Sequence, residues 1–178
     1  MDIIEKRRSI RKYKSNKIND DLINKLIQSA ILAPSGDNTQ PWRFIIVDDI
    51  KIQKEIIKLS HNQKWMETAP VLIVCIADIF SRIKDSDNLI LDEETNIFEL
   101  KQIIRDTTIS IEHIVLEAVN QGLGTCWVAW FKQNEIKTLL EIPNNKYVVG
   151  ILTIGYADEE PKQRPRKPME EIVHKNKW

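Results

Sequence analysis

The chain has 178 residues, with 26 Lys plus Arg against 26 Asp plus Glu, and 42% of its residues are hydrophobic. That balance excludes a disordered or fibrous chain, and a formal charge of zero demands no polyelectrolyte partner such as a nucleic acid. Domains run to roughly 150 residues, so a single domain over 1–178 is expected; a chain this long buries roughly 70% of its unfolded surface without disulfides or a structural metal.

Cys75 and Cys126 sit far apart inside apolar runs, as reduced core thiols do. The opening MDIIEKRRSIRKYK holds no apolar stretch of a leader, and Val71 to Ile76 is far below the ~18 residues of a membrane span. A cytoplasmic protein away from membranes is the expectation.

In chain order, Asn19 to Ala33 sets Leu22, Ile23, Leu26, Ile27, Ala30 and Ile31 on one stripe, with Asn19 or Asp20 as N-cap and Pro34 as stop, which predicts a helix. Trp42 to Val47 and Val71 to Ala77 predict central strands, rich in aromatic and β-branched residues or unbroken in apolar ones. Between them Ile50 to Leu59 has helical spacing behind Asp48 and Asp49 and reads as a helix crossing the sheet. Residues 80–94 are charged and aperiodic, as in a surface excursion or a lid. From about Asn96 to Gln121 the pattern is helical and apolar on several sides, from Ile103 through Val119, so this helix is central or buried between subunits. Thr125 to Phe131 and Tyr147 to Tyr156 predict strands around a short helix, Gln133 to Leu140, before a Pro- and charge-rich tail. Helices open the chain and strands are few, which favours α+β with a mixed sheet over an open doubly wound fold.

Four segments could carry chemistry. Arg7, Arg8, Ser9 and Arg11 form a run whose guanidinium forks can converge on a phosphate, or simply face solvent. The loop APSGDNTQPW, Ala33 to Trp42, packs Ser35, Asp37, Asn38, Thr39 and Gln40 between two prolines; turn chemistry alone accounts for much of it. GLGTCW, Gly122 to Trp127, lacks the spacing of a dinucleotide or phosphate loop and reads as a helix C-cap opening a strand. RPRKP, Arg164 to Pro168, is a basic tail that could fold back on an anion. His61, His113 and His174 are scattered, and neither cysteine has CxxC spacing, so no triad or metal cluster is expected; His113 reads as a core or interface histidine bonded to a neighbour.

In order and spacing, RRSIRKY, APSGDNTQPWRF, the long helix into GLGTCW and the terminal RPRKP together resemble the nitroreductase family across nearly the whole chain. The resemblance implies a mixed, mainly antiparallel sheet flanked by helices, with the long central helix at a homodimer interface. It implies FMN as cofactor and NADH or NADPH as donor. Arg7, Arg8, Ser9 and Arg11 would reach the flavin phosphate, ribityl chain and pyrimidine edge, with Arg11 tuning the flavin as the one catalytic candidate. Arg164 and Arg166 would close on the phosphate. Pro34, Ser35 and Asn38, with Gln40 nearby, would contact the flavin of the other subunit, making composite sites. Val128, Ala129 and Trp130 would lie against the ring, although some relatives carry an acidic residue and a glycine in place of the last two. The activity implied is hydride transfer through flavin N5 to a nitroaromatic or quinone by ping-pong exchange, the alternatives being FMN binding without turnover or a specialised relative such as a reductive dehalogenase.

Overall fold

The computed structural model describes residues 2–178. Four strands, β1 (Trp42–Val47), β2 (Val71–Asp78), β3 (Gly124–Val128) and β4 (Lys146–Gly155), form one sheet in the order β1-β2-β4-β3, every neighbouring pair antiparallel. The parallel component is a lone bridge between Ser9 and Thr125.

β2 explains the layering. All eight of its residues are buried, and because successive strand side chains point to opposite faces, Leu72, Val74 and Ile76 pack on one side and Val71, Ile73 and Cys75 on the other. The first side is covered by α3 (Ile50–Leu59) and α5 (Gln133–Leu139), the second by α2 (Asp20–Ile31) and α4 (Phe98–Asn120). An unbroken apolar run is what a strand covered on both faces needs, each large side chain contributing ~1.5–3 kcal/mol.

The helix starts follow from local chemistry. Asn19 Oδ1 accepts the Leu22 N–H at 2.8 Å ahead of α2, and Asp49 Oδ1 accepts those of Lys51 and Ile52 at 2.7 and 3.1 Å ahead of α3. The crossing expected of α3 does not occur: β1 and β2 are antiparallel neighbours, so the helix returns the chain over one face to the adjacent strand. β3 also stops short of the expected Phe131. Its last partner on β4 is Ile151, and beyond that point β4 pairs with β2 alone.

Residues 80–94 run over the surface as expected, but buried anchors pin the 79–97 segment rather than leaving it a free lid. Ile79 and Leu91 are fully buried with Leu100 and Ile103, and Ile83, Leu89 and Ile97 pack around them. The buried Lys137 of α5 donates to the Leu91 and Asn144 carbonyls, both at 2.9 Å, and burial draws its pKa below the usual lysine value. The chain is flanked by α1 (Asp2–Lys6) and by a tail, exposed from Lys162 onward, that includes α6 (Met169–Ile172). Among the described residues no helix is long and apolar enough to cross a membrane.

Candidate functional site

The N-terminal basic run is presented by two buried anchors. Ile10 and Tyr13 are 6% and 5% exposed; the Ile10 N–H donates to the Thr125 carbonyl at 2.9 Å and that of Lys14 to Tyr156 at 2.8 Å. The Tyr13 hydroxyl donates to the Ile10 carbonyl at 2.6 Å and lies 2.6 Å from Thr153 Oγ1. Gly124 permits this approach, since a Cβ there would lie 2.6 Å from Ile10 Cγ1. Gly122, at φ 75°, ends α4 in the left-handed conformation. Both glycines of the GLG motif thus serve the backbone. With Ile10 and Tyr13 held inside, Arg7, Arg8, Ser9 and Arg11 remain on the outer side.

There they meet the tail. Arg7, Arg8, Ser9 and Arg11, with Pro161, Lys162, Gln163, Arg164 and Arg166, line one pocket of about 350 Å³. The lining holds six cations and no Asp or Glu. Arg8 Nη1 donates to the Glu5 and Arg7 carbonyls at 2.6 and 2.8 Å, closing the end of α1. The Arg11 N–H donates to the Glu159 carboxylate, and its guanidinium sits 5.6 Å over the Trp65 ring. Glu112 of α4 feels Arg7 and His113, but burial outweighs both and holds its carboxyl above the usual range. Behind the pocket, burial pushes the Cys126 thiol up against the pull of Arg11, Ser9 and Arg7, which leaves it a poor nucleophile. Guanidinium forks gathered in one pocket suit a tetrahedral anion, and the nearby Glu159 carboxylate accepts from the Arg11 backbone N–H.

Pro34, Ser35, Asn38 and Gln40 lie elsewhere, between α2 and β1, and none lines the basic pocket. The Gln40 N–H donates to Ser35 Oγ at 3.0 Å, and the Gln40 amide nitrogen donates to the Asn38 carbonyl and Oδ1 at 3.3 and 3.2 Å. Asp37, Asn38 and Gln40 all have left-handed φ, 53°, 54° and 47°, a conformation costing ~1–2 kcal/mol per residue, less for Asp and Asn. The bend is held at Gly36: Asp106 Oδ2 accepts its N–H at 3.2 Å, and Arg82 Nη2 donates to its carbonyl at 3.1 Å.

Val128 is buried, whereas Ala129 and Trp130 lie outside the sheet, Trp130 being 65% exposed. Trp130 stacks on His61 at 4.0 Å between ring centres, and Gln63 Nε2 donates to its carbonyl at 3.2 Å. His113 Nδ1 lies 3.0 Å from the Ser29 carbonyl, joining α4 to α2 as the neighbour-bonded reading expects.

A family model described as the nitroreductase family matches residues 4–156, from the basic run to the end of β4. The chain belongs to the nitroreductase family. It is 30% identical over 177 residues to an FMN reductase [NAD(P)H] of Bacillus subtilis, covering 96% of this chain and 71% of that protein. An NADH dehydrogenase of Thermus thermophilus is 26% identical over 187 residues, covering 94% and 91%. The solved structure of NfrA2 from B. megaterium superposes with a TM-score of 0.89 at 28% identity, over 99% of this chain and 74% of that one.

In this basic pocket, motif reading overlooked Lys162 and Gln163, which the tail carries in with Arg164. Their signal was the continuous PKQRPR run. It also overlooked Trp65 beneath Arg11, His61 against Trp130, and the Arg82 and Asp106 pair at Gly36. These are long-range pairings, and no local pattern announces them.

Proposed function

We propose that this nitroreductase-family chain is an FMN-dependent oxidoreductase taking reducing equivalents from NADH or NADPH and delivering them to a small, electron-poor acceptor of nitroaromatic or quinone type. The observation that carries the reading is the acid-free pocket of six cations. A phosphate monoester near neutral pH carries close to two negative charges on three acceptor oxygens, and this donor set fits it. Bound FMN would supply the hydride chemistry at its N5, leaving position and field to the protein. Arg7, Arg8, Arg164 and Arg166 would hold the phosphate, with the Ser9 hydroxyl as a further donor. Arg11, the next cation along the segment, would favour negative charge on the ring. Val128, Ala129 and Trp130 would wall the ring.

Because Pro34, Ser35, Asn38 and Gln40 lie outside the basic pocket of their own chain, we read them as serving the site of a second copy, in a homodimer with two composite sites. Exposed apolar side chains on α4 (Phe98, Ile109), on α1 (Ile3, Ile4) and in the tail (Met169, Ile172, Val173) support such an interface.

The test is spectroscopic and kinetic. The purified protein should be yellow, with about one noncovalent FMN per subunit, and NADH or NADPH should bleach it anaerobically. Initial rates at several acceptor concentrations should give parallel double-reciprocal lines. Intersecting lines would remove the ping-pong step, an FMN protein that neither nucleotide reduces would be a binding protein, and a colourless protein that refuses added FMN would end the proposal.

A further inference from the structure

We propose that Arg82 and Asp106 are positioning residues for the flavin site, acting through Gly36 on the loop from Ser35 to Gln40 rather than by touching FMN. This rests on the reading of that loop as a wall of a composite site.

The geometry is specific to one residue. Asp106 Oδ2 accepts the Gly36 N–H at 3.2 Å while Arg82 Nη2 donates to the Gly36 carbonyl at 3.1 Å, so the two backbone groups of Gly36 are held by the opposite charges of one pair. The pair is nearly enclosed, its side chains 12% and 14% exposed, with Arg82 Nη2 and Asp106 Oδ2 3.5 Å apart. Asp37 also approaches Arg82 at 3.5 Å, but it is 88% exposed and adds little. A mainly enclosed ion pair is costly to maintain, and replacing one by apolar residues is often neutral or stabilising. Here it joins no two large elements. It bridges the 79–97 segment, α4 and a single loop residue, immediately before Asp37 and Asn38 in left-handed conformation, with Gln40 a third beyond Thr39. Without that grip the bend is free to relax toward ordinary turn geometry, carrying Ser35 and Asn38 with it.

Gly36 also supplies the test. A Cβ there would lie 2.4 Å from Arg82 Nη2, the tip of a long side chain, and the residue does not have positive φ. Gly36→Ala should therefore fold while pushing the guanidinium off the carbonyl. Arg82→Lys keeps the cation but loses the fork, and Arg7→Ala serves as the reference for the basic pocket. FMN affinity of the apoprotein would be measured by quenching of flavin fluorescence, loop order by amide hydrogen exchange at residues 35–40, and apoprotein stability by thermal unfolding. Gly36→Ala and Arg82→Lys should each weaken FMN by ~10-fold and speed exchange in the loop, with the unfolding midpoint of Gly36→Ala unchanged. Affinities unchanged in both variants while Arg7→Ala weakens FMN would overturn the inference and leave the proposed function standing. So would unaltered loop exchange. A wild-type protein that takes up no FMN would overturn both.

Discussion

Replacing Arg7 by Ala isolates the anion-binding role from stability. Arg7 is half-buried in the pocket wall, and its guanidinium makes no hydrogen bond or ion pair among the described residues, so the unliganded protein loses little with it. Its removal should then appear almost wholly in binding: one charge-assisted contact is worth ~1.5–3 kcal/mol, or roughly 10- to 150-fold in FMN affinity. Arg8 makes an internal control. Part of its donor capacity is spent on the Glu5 and Arg7 carbonyls, so Arg8→Ala should fall toward the lower end of that range and also loosen α1. Titration of apoprotein with FMN at two ionic strengths measures both, and the wild-type advantage should shrink in salt because most of the pocket's cations are exposed. Unchanged FMN affinity in Arg7→Ala, Arg8→Ala and Arg166→Ala alike would return the basic run to solvated surface and refute the phosphate assignment.

The remaining predictions concern the frame. Tyr13→Phe deprives the buried Ile10 carbonyl of its donor and should cost ~1–3 kcal/mol in chemical denaturation, shifting the register of the basic run and weakening FMN as well; full stability would show that the hydroxyl is not the anchor. Ile111→Ala empties a fully buried position of α4 beneath the sheet and should cost ~2–5 kcal/mol, whereas Ile109→Ala on the 40% exposed side should spare the monomer and weaken the dimer, as light scattering would report. At Asp49, hydrogen bonds from the Ile52 N–H and then the Lys51 N–H hold the carboxyl below its ordinary 3.8. On acidification the unfolded chain therefore takes up the proton first, and the cap's contribution, complete above the ordinary value, is lost as pH falls through the folded one. Asp49→Asn keeps the cap without the charge, so its unfolding midpoint should fall less steeply with acid than the wild type's; equal slopes would remove Asp49 from the acid response.

Elements were legible where chemistry marks both ends. β1 runs from Trp42 to Val47 as read, with Pro41 before it and the Asp48 and Asp49 pair after it. α3 starts behind a carboxylate whose capping role needs no tertiary information. The end of β3 was not legible, because Ala129 to Phe131 look like strand, yet the chain leaves the sheet edge after Val128 although β4 runs on to Lys146. The anchors of residues 79–97 were hidden for a related reason: Ile79, Leu89 and Leu91 follow no helical or strand period, so their packing depends on the start of α4 and on Lys137. In the site, the two charged runs that line the basic pocket were visible in the sequence, as was the option that the tail folds back toward the first. The Gly36 clasp was not, since Arg82 and Asp106 meet across 24 positions only after folding.

The packed 79–97 segment bears on how traffic through such an enzyme is controlled. Swinging it outward would strip Ile79 and Leu91 from their partners and leave the Lys137 ammonium without the Leu91 carbonyl, a partial unfolding rather than a hinge movement. On the proposed reading, turnover should therefore need no opening of this flank, and its rate should not follow the exchange of amides in this segment. On that same reading, substitutions that aim to widen or narrow reactant choice belong at Ala129 and Trp130, which lie outside the sheet.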